Sequence, residues 1–281
     1  MPLYYAFQDK SNLSFVMQYC PGGELFQLIK MMYYFSEDMA RFYAAQIVLA
    51  FEYLHDKGYV YTDLKPENIL IDSNGYLKLT DFGLSSKLVK GVAGYHPIGT
   101  LEYMAPEMFS KRGYGIPVDW YSLGCLIYEM VTGSVPFRGQ GTTEIVSQII
   151  GKNPSLPDYM SQSLKSLLTK LLWKFPADRL GSGPGGVDEI KNHPWFSGIN
   201  WNLLLEQKLK PPFITAPNCE TDLCYFDSTF KNKPVSALFC PSPFELFKLK
   251  DFTYIHPSKL SEDKAETGSD IMRSEGPLQV A

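Results

Sequence analysis

The chain opens on two apolar runs that are separated by a polar turn. Residues 3–7 and 13–19 are rich in aromatic and aliphatic side chains, and residues 8–12 between them are polar. Short runs of this composition favour β-strands, so the pattern predicts two strands around a turn. A Pro-Gly-Gly sequence at 21–23 then interrupts the chain, and a short helix is predicted over residues 24–30.

Helical spacing of apolar residues dominates most of the chain from residue 36 to about residue 205. Ser36 is a good helix N-cap with acidic residues directly after it, and the apolar positions behind it predict a long buried helix that ends near Gly58. A second, mostly apolar helix is predicted over residues 118–131. Several shorter helices are predicted between there and about residue 205, broken by a glycine-rich stretch at 181–186.

A β-hairpin is predicted between these two helices. Residues 69–71 and 76–79 read as strands, and the turn between them, Asp72-Ser73-Asn74-Gly75, contains the Asn-Gly pair that is typical of tight hairpins. Residues 83–117 are loop-like, and from residue 210 onward the chain is irregular in pattern. The coarse picture is a helix-rich body preceded by a small piece of sheet.

Composition places the chain among ordinary globular proteins and excludes several classes. Of 281 residues, 45% are hydrophobic and 20% charged, the net charge is −4 and the pI is near 5.6. This charge gives no basic surface for nucleic acid or for an anionic membrane, and no apolar run reaches the length of about 18 residues that a spanning helix needs. The five scattered cysteines and the absence of a recognisable signal peptide predict reduced thiols and a cytoplasmic or nuclear location.

The two ends of the hairpin carry the residues that indicate chemistry. Asn68 lies just before the first strand and Asp81 just after the second, so a hairpin would place them side by side. Amide and carboxylate oxygens are ligands that Mg²⁺ prefers. Asp63 adds a carboxylate and Lys65 an ammonium on the preceding loop. Two metal ligands, a base and a phosphate-binding cation are the parts that phosphoryl transfer needs.

Each of these residues alone could be an ordinary turn residue. Together, Asp63-Leu64-Lys65-Pro66-Glu67-Asn68 followed by Asp81-Phe82-Gly83 resembles the catalytic loop and metal-binding segment of eukaryotic protein kinases. The resemblance extends from about residue 3 to residue 257. Segments that resemble the AGC group, which includes cyclic-nucleotide-dependent and ribosomal-protein kinases, are Tyr128-Glu129-Met130, Lys191-Asn192-His193-Pro194-Trp195-Phe196, Tyr225-Phe226-Asp227 and Phe252-Thr253-Tyr254.

The resemblance implies a role for each matching residue at the ATP site. Asp63 would orient the substrate hydroxyl and accept its proton, and Lys65 would bind the γ-phosphate. Asn68 and Asp81 would hold Mg²⁺. The residues that would surround the adenine and ribose of ATP are Met17, Gln18, Cys20, Glu24, Leu70 and Thr80.

Further residues match substrate-binding, structural and regulatory positions of the family. Glu24, Glu67 and Glu129 match carboxylates that bind arginine upstream of the target residue, although a solvated acidic face is the alternative interpretation. The matched structural residues are Asp119 and the pair Glu107 and Arg179. The candidate phosphosites are Thr253, Ser236 and Ser242.

Two departures from the family pattern stand out. The 281 residues contain no counterpart of the glycine-rich loop, the strand lysine or the following helix with its glutamate. The string at 181–186 contains Pro184 and comes after no predicted strand, so we interpret it as a loop and not as a phosphate cradle. Thr62 stands where the family has an arginine that binds a phosphorylated threonine, and His96 stands at the phosphosite, so we expect no activating phosphate between residues 84 and 97.

The sequence therefore predicts an α+β, protein-kinase-like fold: mostly the helical C-lobe, with a remnant of the N-lobe sheet and an AGC-type C-terminal tail. The predicted parts are residues 1–20 (N-lobe remnant and hinge), 21–196 (C-lobe), 197–260 (tail) and 261–281 (disordered). The predicted function is a Ser/Thr kinase that uses ATP and Mg²⁺ on basic peptides, weak or inactive in this form. A non-catalytic interaction or competitor module is the alternative, and a partner covering the incomplete N-lobe is expected.

Overall fold

The computed structural model describes residues 1–9, 12–214, 225–226 and 252–259. The chain divides into two compact units between Tyr19 and Cys20. The described part of the first unit is residues 1–9, 12–19 and 252–259, and that of the second is residues 20–214 with 225–226. Ser236, Ser242 and residues 261–281 lie outside the described residues. The predicted domain boundaries stay predictions.

The first unit is a three-stranded antiparallel sheet with β1 (Leu3–Gln8) in the middle. β1 pairs on one side with β2 (Leu13–Met17), where Ala6 lies opposite Phe15, and on the other side with β7 (Tyr254–Ile255). Asp9, directly after β1, accepts on its carboxylate a hydrogen bond of 2.7 Å from the amide of Asn12, directly before β2. Both predicted N-terminal strands are confirmed, although the second ends at Met17 and not at residue 19.

The second unit is built around two long helices. α2 (Glu37–Asp56) begins as predicted at Ser36, whose hydroxyl accepts a hydrogen bond from the Met39 amide. α3 (Pro117–Thr132) is buried along almost its whole length, as its continuous apolar sequence requires. Phe51 of α2 packs edge-on against Trp120 of α3 in the main hydrophobic core.

Shorter helices complete this unit. They are α1 (Leu25–Met32), α4 (Thr142–Gly151), α5 (Gln162–Leu171), α6 (Val187–Lys191) and α7 (Trp201–Leu205). Among the described residues, no helix combines the length and the apolar composition that crossing a bilayer requires.

Two small antiparallel ladders position the loops between α2 and α3. The predicted hairpin is confirmed as β4 (Ile69–Ile71) and β5 (Leu77–Leu79), and the Asp72 carboxylate accepts hydrogen bonds from turn amides. β3 (Tyr59–Val60) pairs with β6 (Ser86–Lys87), a ladder that the sequence did not predict. The hairpin therefore lies between two segments that are themselves tied together.

Candidate active site

The Asp63 carboxylate is the centre of a dense hydrogen-bond network. Its Oδ1 accepts from the amide and the hydroxyl of Thr100, at 3.0 and 2.9 Å. Its Oδ2 accepts from Asn68 Nδ2 at 3.0 Å and lies 3.1 Å from Lys65 Nζ. Lys65 Nζ also donates to the Thr100 hydroxyl at 2.9 Å. Asp63 is buried, so these contacts fix both of its oxygens in a partly dehydrated setting.

Asp119 binds the backbone of the loop that carries Asp63. The fully buried Asp119 carboxylate accepts from the amides of Tyr61 and Thr62 at 2.9 and 2.8 Å, and its Oδ2 lies 2.7 Å from His55 Nε2. Thr62 has a φ of 68°, a left-handed conformation that β-branched residues rarely adopt. Asp119 thus fixes a strained turn immediately before the candidate base.

The hairpin brings Asn68 and the segment of Asp81 together as predicted. Ile69 lies opposite Leu79, and the Thr80 amide donates to the Asn68 carbonyl at 3.0 Å. Asn68 Nδ2 donates to both the carbonyl and the carboxylate of Asp63, so its nitrogen is engaged with the protein and its oxygen is the atom suited to a cation. Asp81 has a φ of 52°, and its carboxylate accepts from the Gly83 amide.

The Tyr61 phenol is affected by the charges of both Asp63 and Asp81. Its phenol hydroxyl donates to the Thr80 carbonyl. Burial raises the pKa of Tyr61 well above its usual value, and the negative charges of Asp63 and Asp81 raise it further. An amide oxygen and a carboxylate at this position fit the hard-oxygen ligand chemistry of Mg²⁺. No group of three or more His, Cys, Asp or Glu side chains suited to a metal occurs in the part of the chain that the structure describes.

A second acidic cluster surrounds Glu129. Its carboxylate accepts a hydrogen bond from the Tyr103 hydroxyl. Burial raises the pKa of Glu129, and the charges of Glu67 and Glu102 raise it further, against the lowering effects of the Tyr103 bond and of the Arg138 charge. The structure therefore brings together Glu67 and Glu129, two of the three predicted substrate-binding glutamates. Glu24 directly precedes α1 and forms an isolated bridge with Leu70.

The other predicted ATP-site residues fall in both units. Met17 and Gln18 belong to the first unit, and Cys20, Leu70 and Thr80 to the second. Cys20 is buried, and burial raises its thiol pKa. Thr253 is exposed directly before β7. The roles predicted for these residues stay predictions.

Glu107 and Arg179 form a buried, two-pronged ion pair. Arg179 Nη1 and Nη2 lie 2.5 and 2.8 Å from the two oxygens of Glu107. Nη1 also donates to the Pro117 carbonyl and Nε to the Trp173 carbonyl. Because Arg179 is only 1% exposed, the pair ties the segment before α3 to the segment after α5 with little competition from water.

The glycine-rich stretch at 181–186 is occupied by a side chain of the protein. The amides of Gly181 and Gly185 donate to the Glu189 carboxylate at 3.0 and 3.2 Å. These amides already bind an anion, in agreement with the interpretation of this stretch as a loop.

Sequence reasoning missed Tyr103 and His55. Tyr103 bonds Glu129, 26 positions away, and His55 bonds Asp119, 64 positions away. The local signal for Tyr103 was its place in Glu102-Tyr103, shortly before Ala105-Pro106-Glu107. Neither contact can be deduced from spacing alone, because each depends on how helices pack.

Comparisons with known proteins agree with this geometry. A family model described as a protein kinase domain matches residues 1–196. Ribosomal protein S6 kinase alpha-6 of Danio rerio is 41% identical over 266 residues, which cover 94% of this chain and 36% of the relative. Ribosomal protein S6 kinase alpha-3 of Homo sapiens is 43% identical over 232 residues, which cover 82% of this chain and 31% of the relative.

The chain spans about a third of the length of these curated relatives. The family model covers well over half of the chain. The matched residues include the motifs around Asp63 and Asp81 that indicated phosphoryl transfer. The chain therefore belongs to the protein kinase family, and it is similar to the ribosomal protein S6 kinases of the AGC group.

Proposed function

We propose that this protein transfers the γ-phosphoryl group of Mg·ATP to serine or threonine hydroxyls in peptides that carry basic residues. The observation that supports this most directly is the Asp63 carboxylate, held by Thr100, Lys65 and Asn68 at 2.9–3.1 Å. A carboxylate fixed on four sides keeps one orientation toward an incoming hydroxyl, which is the positioning that phosphoryl transfer requires.

Each residue has a distinct part in this proposal. Asp63 orients the substrate hydroxyl and accepts its proton as the new O–P bond forms and the bond between the γ-phosphorus and the leaving ADP breaks. Lys65, 3.1 Å from Asp63, offers its ammonium to the transferred group. Asn68 and Asp81 would hold Mg²⁺, which when bound neutralises charge on the phosphates.

The cluster around Glu129 supports the preference for basic peptides. Glu67 and Glu102 place negative charges close enough to raise the pKa of Glu129. An arginine side chain of a substrate would offset both this repulsion and the cost of burying the carboxylate, through charge-assisted hydrogen bonds. A neutral peptide would leave both costs in place.

A transfer assay with three variants tests the catalytic proposal. Phosphate incorporation from labelled ATP into a peptide with arginines upstream of one serine is compared for the unmodified chain, Asp63→Asn and Asp81→Asn. We expect both variants to lose at least about 100-fold in rate, because Asp63→Asn removes an acid–base group and Asp81→Asn removes a charged ligand of the metal that neutralises the phosphates. Asp158→Asn, at a surface carboxylate that lies 3.5 Å from Lys165, is the matched control and should keep full activity.

The same assay separates the catalytic proposal from the alternative of a non-catalytic binding module. Equal signals from the unmodified chain and from Asp63→Asn would overturn catalysis by these residues. Peptide binding without transfer would then favour the module. For Glu129→Gln, we expect KM for the basic peptide to rise about tenfold or more, from loss of a charge-assisted bond, while kcat changes little.

A further inference from the structure

The segment between Gly83 and Gly99 is ordered through contacts with its own lobe. Residues 84–98, here called the activation segment, offer three hydroxyl side chains: Ser85, Ser86 and Tyr95. The Ser85 hydroxyl donates to the Tyr61 carbonyl, and Ser86 belongs to β6. The Ser85 hydroxyl is therefore already used in holding the segment, and Ser86 is held through its backbone.

The beginning of the activation segment is held by the loop that carries Asp63. The Thr62 hydroxyl lies 2.7 Å from the Leu84 carbonyl oxygen. Ser86 pairs with Val60 in the ladder of β3 and β6, and the Leu88 amide donates to the Gly58 carbonyl at 2.8 Å. This end of the segment is consequently fixed by backbone pairing and by two neutral hydroxyls, those of Thr62 and Ser85.

The middle of the segment forms a tight hairpin of its own. Val89 and Val92 exchange two backbone hydrogen bonds, of 2.9 and 3.1 Å. Lys90 and Gly91 between them have φ values of 54° and 82°, and positive φ at both central positions is the signature of the turn that best suits a two-residue hairpin.

Tyr114 connects this hairpin to the core of the lobe. The Ala93 amide donates to the Tyr114 carbonyl at 2.7 Å, and the Tyr114 amide donates to the Gly94 carbonyl at 3.0 Å. The Tyr114 hydroxyl donates to the His96 carbonyl at 3.1 Å. Its ring is 4% exposed and packs in a hydrophobic cluster that also receives Leu88, Ala93 and Ile98 of the activation segment.

Three glycines make this approach so close that a side chain would not fit. A Cβ added at Gly94 would lie 2.5 Å from the Tyr114 hydroxyl oxygen, and one at Gly113 would lie 2.9 Å from Val92 Cγ1. A Cβ at Gly115 would lie 2.6 Å from the Gly91 carbonyl oxygen. The hairpin and the 113–115 loop are therefore in direct backbone contact.

We propose that Tyr114 is a positioning residue, which together with these glycines holds the activation segment in place without a phosphate group. The segment leads directly into Gly99 and Thr100, and the Thr100 amide and hydroxyl contact Asp63. Holding residues 84–98 thus places Thr100 on the candidate base. That this placement of Thr100 serves catalysis rests on the proposed function. The contacts that hold residues 84–98 do not depend on it.

Local opening of the activation segment tests this inference without any need for kinase activity. The full chain is expressed in bacteria, treated with phosphatase and checked by mass for the absence of phosphate. Trypsin cleavage after Lys90 and hydrogen exchange of the Thr100 amide are then compared among variants. Gly94→Ala should raise both rates about tenfold or more, because overpacking of this size costs a free energy that corresponds to at least a tenfold larger open population.

Matched controls separate positioning from general stability. Gly141→Ala adds the same methyl group at a glycine with nothing within 4 Å and should leave both rates unchanged. Tyr114→Phe, which loses only the bond to His96, should raise both rates about threefold, the scale of one neutral hydrogen bond. Tyr128→Phe, which loses a comparable 2.9 Å bond to the Ser155 carbonyl, should leave them unchanged.

Two results would overturn the inference. One is equal rates for Gly94→Ala and Gly141→Ala, with Tyr114→Phe equal to Tyr128→Phe. The other is faster cleavage after Lys90 on phosphatase treatment of the unmodified chain alone, because the segment would then depend on phosphate. If Gly94→Ala unfolds globally, the two phenylalanine variants decide the question. Absence of phosphoryl transfer would count against the proposed function and would leave these measurements standing.

Discussion

Each oxygen of the Asp63 carboxylate contacts more than one donor group. Some contacts of this site could be predicted from the sequence, and others could not. Lys65 and Asn68 lie in the same motif as Asp63, two and five positions away, so spacing alone predicted them. The Tyr103–Glu129 bond joins different segments of the fold. Sequence spacing predicts side chains that share a loop, whereas contacts between elements depend on packing.

Glu129 should make folding stability depend on pH. Because its pKa is raised in the folded protein, the folded state binds the proton more tightly than the unfolded state does. The carboxylate therefore destabilises the fold most above its raised pKa, and this cost disappears as the pH falls to the ordinary value of 4.5. Glu129→Gln should raise the Tm at pH 7–8 by about 2–4 °C, and the difference should vanish near pH 4.5.

Thermal melts at several pH values check this prediction. The Gln side chain keeps an oxygen that can accept the Tyr103 hydrogen bond, so packing is preserved. Glu144→Gln, at a residue in the first turn of α4 whose carboxylate accepts from the Gln140 amide, serves as the control. A Tm difference for Glu129→Gln that is the same at every pH would contradict the assigned cause.

Removing Arg179 should cost far more than removing a surface cation. Arg179→Met would leave the Glu107 carboxylate without its partner in a mostly dehydrated site, a loss of about 3–5 kcal/mol. Lys165→Met, which breaks an exposed pair with Asp158, should cost at most about 1 kcal/mol. Denaturant unfolding measures both values, and similar costs for the two variants would be inconsistent with the buried pair.

At the scale of elements, the sequence predicted those helices that have a clear apolar periodicity or an N-cap residue. α2 begins at Ser36 and α3 spans the long apolar run, as expected. The ladder of β3 and β6 escaped prediction because each strand has two residues, too few to show alternation. Much of the activation segment was missed for a related reason: its order comes from close approach to residues 113–115 and not from a local pattern.

The packing of α3 on α5 predicts opposite effects of one substitution at two helical glycines. A Cβ at Gly124 of α3 would lie 3.0 Å from Leu171 Cβ and from Leu172 Cδ2, both buried. Gly124→Ala should therefore destabilise by about 1–3 kcal/mol. Gly151→Ala, at the end of α4 with nothing within 4 Å, should be neutral or stabilise by up to about 1 kcal/mol.

Denaturant unfolding of both glycine variants measures their changes in the free energy of unfolding. The gain in helix propensity is larger at Gly124, inside α3, than at Gly151, the last residue of α4, so a net loss of stability for Gly124→Ala would come from the packing of α3 against α5. Stabilisation by Gly124→Ala would mean that Leu171 and Leu172 move aside at little cost, and that the close approach of the helices is not a constraint.

At the scale of the whole molecule, the first unit has an edge that is apolar and unusually exposed. Within the described residues β2 pairs only with β1, and Leu13, Phe15, Val16 and Met17 are each 40–54% exposed. An apolar strand at the edge of a sheet is a template for pairing with another chain. We therefore expect the 281-residue chain alone to self-associate through β2 at micromolar concentration. Val16→Lys should shift sedimentation toward monomer, since a charge at an edge opposes strand pairing.

Tyr53→Lys adds the same charge at a helical residue that is 65% exposed and should leave the association unchanged. Monomeric behaviour of the unmodified chain without a partner, or an equal response of both variants, would show that β2 is not the associating edge.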